Sequence, residues 1–74
     1  MQIEEIDAIL GKVIEGNSNI VNNWLAGGAG SWGALAGKAI VAVQRHFDRS
    51  LTETEKHIVW QLMWNKLMKI KESI

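Results

Sequence analysis

"LAGGAGSWGALAGKA" occupies residues 25–39 and holds five of the seven glycines in the chain. Within it, Gly28-Ala29-Gly30-Ser31-Trp32-Gly33 matches G-x-G-x-x-G, the spacing of a dinucleotide-binding turn. That turn works only where a strand precedes it, a helix follows it and a second strand completes a βαβ unit. The role of these glycines therefore decides between an α/β fold and an all-helical one. The segment before them, "NIVNNWLA" at 19–26, carries two asparagines in its middle, which a buried parallel strand does not accommodate. After the next helical stretch comes "RHFDRSLTE" at 45–53, a polar connector rather than a second strand. Asp48 stands at the spacing of a ribose-binding acid, but no strand leads to it. The phosphate-loop pattern G-x-x-x-x-G-K-[ST] fails as well, because Ala39 follows Gly37-Lys38 and Trp32 stands where the first glycine belongs. No nucleotide or other cofactor is expected.

The alternative is helical. Gly33 and Gly37 are four residues apart, on one face and beside Gly30. Small side chains at this spacing let two helix backbones approach closely. A glycine inside a helix costs about 1 kcal/mol relative to alanine. Gly30, Gly33 and Gly37 are therefore expected to offset that cost by close helix packing, within the monomer or against another chain.

Working outward, the apolar periodicity on both sides is helical. Ile3, Ile6, Leu10, Val13 and Ile14 share one face, with Ile9 at its edge, while Glu4, Glu5, Lys12 and Glu15 face away. Gly16-Asn17-Ser18-Asn19 reads as a stop followed by a cap, with Ser18 or Asn19 capping a short helix "IVNNWLA" that ends at Gly27-Gly28. Ser31 is the next expected cap, and Trp32, Leu35, Ala36, Ala39, Ile40, Val43 and Phe47 define a third face. Ser50-x-x-Glu53 and Thr52-x-x-Glu55 both read as capping boxes ahead of the last helix. The expected fold is all-α: one domain over 1–74, a compact saposin-like or similar bundle of three or four short helices, near 3–15, 19–26, 32–47 and 52–72.

The last helix carries more apolar surface than one small core absorbs. Val59, Trp60, Met63, Trp64, Leu67, Met68 and Ile70 cover about half its circumference, against the roughly 100° stripe of an ordinary surface helix. Either this is a central helix packed on two sides, or Trp60, Trp64 and Met68 meet a partner, a second copy or a membrane. Indole suits lipid interfaces and protein hot spots alike. Lys66, Lys69 and Lys71 near the helix end are candidate contacts for an anionic membrane surface.

The 74 residues include no cysteine or proline, and 47% are apolar. That is ample for a core and excludes disulfides and thiolate zinc sites. Net charge is zero but unevenly spread: residues 1–30 carry −3 and residues 31–74 carry +3. Such asymmetry marks a surface-binding segment or a removable part of a precursor. No secretory signal is read in the acidic N-terminal region, which has no continuous apolar segment. Met1 precedes the large Gln2 and is expected to be retained, which suits a cytosolic protein or a leaderless peptide. The run from Trp24 to Gly37 is shorter than the roughly 20 residues a spanning helix needs, so an interfacial helix is the expected membrane mode.

No catalytic constellation stands out, and no enzyme is expected. His46-x-Asp48 and Glu53-x-x-x-His57 each offer only two potential ligands, too few for a metal site. Adjacent Glu4 and Glu5 splay about 100° apart on a helix and cannot act as a carboxylate pair. A helix-turn-helix over 32–72 would present a long apolar second helix with lysines only near its end. Nucleic acid is therefore not an expected partner.

Taken together, these features resemble class II bacteriocin-type peptides. An acidic segment ends in Leu25-Ala26-Gly27-Gly28, similar to a double-glycine leader. Leu25 is apolar at the fourth position back from the cut, while Asn22 and Asn17 stand at the seventh and twelfth. The following 46 residues carry +3 and are rich in Gly, Ala and Trp. The chain also resembles leaderless and circular bacteriocins, which are cysteine-free, of this size, and pack short helices around Trp and Gly-Ala stretches. That resemblance implies synthesis in the cytoplasm, secretion and permeabilisation of competing bacteria. The competing expectation is an intracellular interaction protein, a small phage or regulatory factor that self-associates as a homo-oligomer or covers a protein partner.

Overall fold

The computed structural model describes residues 2–73. Its chain forms four helices: α1 Ile3–Gly16, α2 Ser18–Leu25, α3 Ser31–Phe47 and α4 Glu53–Glu72, with no strand among the described residues. The fold is an all-α bundle, and the glycine-rich stretch joins α2 to α3.

The joint explains three of its glycines. Gly27 follows α2 at φ 85°, a left-handed conformation that glycine adopts without steric cost. Its N–H donates to the Trp24 carbonyl at 3.0 Å, and the Gly28 N–H donates to the Asn23 carbonyl at 2.8 Å. These two bonds satisfy the last carbonyls of α2 as a Schellman motif. A Cβ at Gly28 would overlap the Asn23 amide. Gly30, at φ 81°, then turns the chain into α3 and accepts the Ala34 N–H at 3.1 Å.

Two expected caps are replaced by other arrangements. Ser31 does not cap α3: it is the first helical residue, it is buried, and its hydroxyl accepts from Asn23 Nδ2 at 2.7 Å. That bond ties α2 to α3, so Gly30 takes the cap position. Ser18 and Asn19 do not cap α2 either. Asn17 alone separates α1 from α2; its carbonyl accepts the Ile20 and Val21 N–H groups, and its side chain donates to the Val13 carbonyl at 2.8 Å. At α4 the Thr52-Glu55 box forms in both directions, while Glu53 pairs with Lys56 instead of closing a box with Ser50.

Four-residue steps build the core: Ile6 and Leu10 on α1, Leu35, Ala39 and Val43 on α3, and Val59, Met63 and Leu67 on α4. Val13, Val21 and Leu51 complete it. Helix α3 packs against each of the other three helices, and Ala36 and Ala39 lie on its buried face. The radius of gyration is 11.8 Å, close to the roughly 11 Å of a compact chain this long. Ile3, expected on the core face, lies at the open end of α1 and is 60% exposed.

Gly30, Gly33 and Gly37 do not form a close crossing within the monomer. A Cβ at any of them would meet nothing within 4 Å. Leu35, Ala36 and Ala39 make the contacts on the opposite side of α3, and the glycines face outward.

Candidate functional site

Of the tryptophans, Trp24 closes α2, Trp32 opens α3, and Trp60 and Trp64 lie one turn apart on α4. Three of them meet. The Trp64 ring packs edge-on against Trp32 at 5.2 Å and against Trp24 at 5.8 Å between centroids. Such pairs contribute about 0.5–1.5 kcal/mol each beyond area burial. Trp64 lies at the centre of the cluster yet is 40% exposed. Lys71 Nζ stands 5.7 Å from the Trp24 ring centroid, within cation–π range.

The turn between Trp24 and Trp32 contains no charged residue. Ala26, Gly27, Ala29 and Gly30 are exposed there. The indole cluster therefore borders an uncharged, small-residue surface on one side and the C-terminal end of α4 on the other. Lys69 and Lys71 on that end are exposed and make no ion pair among the described residues.

The remaining candidate contacts separate. Trp60 is half-buried beside His57, at 5.3 Å between rings, and its Nε1 is buried without a partner among the described residues. Met68 is half-buried on the same flank of α4 as Trp64. Lys66 is turned away from that flank: its Nζ lies 3.0 Å from Asp7, and it packs along Gly11 of α1. It joins α4 to α1; Lys69, three residues on, lies on the same side of α4, while Lys71 lies on the Trp64 side. His46 Nε2 lies 3.6 Å from Glu5.

Sequence reasoning placed Trp64 on an exposed arc but missed Trp24 and Trp32 as its partners. Those two flank the glycine stretch at positions 24 and 32. Once the stretch is read as a tight turn between helices, its flanks must come close in space.

The other charged feature is structural. Arg49 donates to both carboxylate oxygens of Glu55, at 2.9 and 2.6 Å, and the Thr52 N–H donates to Glu55 at 2.9 Å. The Arg49 hydrogen bonds, then the backbone bond from Thr52, lower the Glu55 carboxyl from 4.5 to about 2. The pair fixes the α3–α4 connector and the start of α4.

No protein-family model, curated protein or solved structure matches the chain.

Proposed function

We propose that this chain is a bacteriocin-like, membrane-active antimicrobial peptide. It docks on anionic membranes through the Trp24-Trp32-Trp64 end and permeabilises them. The observation that carries this reading is the indole cluster itself. Three rings gather at the surface, beside a charge-free Gly-Ala turn and beneath Lys71. Indole partitions to the lipid headgroup boundary, where its apolar body and its N–H are both accommodated. A turn without charges enters that boundary at low desolvation cost. Lys69 and Lys71 add attraction to anionic lipid, about 1 kcal/mol per basic residue near the surface.

None of the helices among the described residues is long and apolar enough to cross a membrane. Docking therefore begins as an interfacial contact. Leakage follows when the marginal bundle opens and its apolar inner faces exchange protein contacts for lipid. A bundle of this size holds only a small net stability.

Dye-loaded vesicles containing anionic lipid test the proposal. Leakage is expected at low salt, weaker at high salt, and absent with purely zwitterionic lipid. Trp64→Ala should reduce leakage strongly while circular dichroism shows a retained helical fold. Intact anionic vesicles in the presence of the folded chain would refute it.

A further inference from the structure

The glycine-bearing face of α3 lies apart from the indole end and is open. Gly33, Ala34, Gly37 and Val41 run along a groove whose opposite wall includes Val13 of α1 and Asn17 at the α1–α2 junction. Val41 is 44% exposed. Lys38 and Arg45 edge the groove, and Lys12 stands where it continues along α1. These three cations make no ion pair among the described residues. The groove is thus apolar along its floor and positive along its rim.

The complementary surface is on the far side of α1. Glu4, Ala8 and Glu15 are exposed there, with Lys12 at the edge nearest the groove, and the two acids make no ion pair among the described residues. Glu15 occupies the last turn of α1, where the helix dipole disfavours an acid, and no basic residue accompanies it in that turn. Gly33 and Gly37 are likewise locally unfavourable, placed inside a helix where an added methyl group would meet nothing within 4 Å. Locally unfavourable choices without compensation in the monomer point to a contact outside it.

We propose that the groove is filled by a second copy of this chain, whose α1 lays its Glu4-Ala8-Glu15 face against the α3 groove. Charge selects this occupant: Glu4 and Glu15 face Lys38 and Arg45 on the groove rim, and none of the four makes an ion pair among the described residues of the monomer. Ala8 on one surface and Gly33, Ala34 and Gly37 on the other remove the side chains that would hold the two helices apart. The acids bracket three turns and the cations two, so the long Lys38 and Arg45 side chains reach outward along the axis to close the pairs. Each copy carries both surfaces on different sides. The contact is therefore head-to-tail, forming rings or open chains rather than a two-fold dimer. It uses none of the three clustered tryptophans and requires no lipid.

Light scattering of the full chain in lipid-free buffer tests the proposal. At about 0.01 M salt a concentration-dependent species larger than the monomer is expected. It should dissociate at about 1 M salt, where the screening length falls from roughly 30 Å to 3 Å. Lys38→Glu with Arg45→Glu should be monomeric, as should Glu4→Lys with Glu15→Lys. A mixture of these two variants should reassociate, because each then offers the charge the other lacks. If either charge variant loses helicity by circular dichroism, Gly37→Leu fills the groove without altering charge and should also be monomeric. A wild-type chain that stays monomeric at low salt overturns the proposal, even if it gathers on anionic vesicles. So do charge variants that associate like the wild type, or a mixture that does not reassociate.

Discussion

Two halves of one glycine-rich stretch behave in opposite ways. In residues 27–30 the glycines answer to the backbone: Gly27 and Gly30 hold positive φ, and Gly28 leaves room for the Asn23 amide. In residues 33–37 the glycines sit in regular helix, and a methyl group added at either would meet nothing within 4 Å. The first pattern is required for the monomer to fold. The second costs the monomer stability and faces outward. Glycine density alone does not distinguish them; the contacts a methyl group would make do.

The largest effect should come from between the outward glycines. Leu35 is fully buried on the opposite side of α3. Leu35→Ala should destabilise the bundle by about 2–5 kcal/mol in chemical denaturation, the range for buried Leu truncation. A small effect would mean that α3 does not present separate inner and outer faces.

Gly28→Ala should come next. Its methyl group displaces the Asn23 amide, and the buried Ser31 hydroxyl loses its donor. Leaving such a group without its bond costs about 1–3 kcal/mol. The same substitution at Gly33 or Gly37 should act in the other direction. Each should stabilise the monomer by about 0.5–1 kcal/mol, because alanine is the better helix former and nothing obstructs it. Melting temperatures at high salt should therefore fall for Gly28→Ala and rise for Gly37→Ala. Equal signs at the two sites would erase the contrast between the halves.

The smallest effect concerns the connector beyond the stretch. Glu55 has its folded-state carboxyl lowered to about 2 by Arg49 and Thr52. Its contribution is complete above the ordinary value of 4.5 and is lost as pH falls toward about 2. The pair is solvent-exposed, so screening keeps that contribution modest. Glu55→Gln should flatten the fall in stability across this pH window and leave the melting temperature at neutral pH only slightly lower. An unchanged acid limb would show that the pair does not contribute.

Most of the fold was legible in the sequence, because its signals are local and agree with one another. The 3.6-residue periodicity placed all four helices to within a residue or two, and Thr52-Glu55 marked the start of α4. The cap assignments at Ser18 and Asn19 missed because α2 begins one residue earlier, directly after Asn17, and the one at Ser31 missed for a different physical reason. A short polar side chain at a helix start can serve either its own backbone or a neighbouring element, and sequence spacing shows only the first. Asn17 reaches back to α1, and Ser31 reaches across to Asn23. The site was half legible. Trp64 and the terminal lysines stood out on one helix, but gathering Trp24 and Trp32 around Trp64 depends on how the turn folds α2 and α3 back on each other. Lys66 lies on the side of α4 away from Trp64, where it meets Asp7 of α1, and only Lys71 reaches the indole cluster.

The membrane reading rests on which tryptophans meet lipid, and quenching by brominated acyl chains in anionic vesicles measures that directly. Trp60 sits beside His57, apart from the clustered rings. In Trp60→Phe the emission of Trp24, Trp32 and Trp64 should shift to the blue and be strongly quenched from within the bilayer. In Trp64→Phe both the shift and the quenching should weaken. Emission from the Trp60→Phe chain that neither shifts nor responds to the brominated lipid would contradict the account.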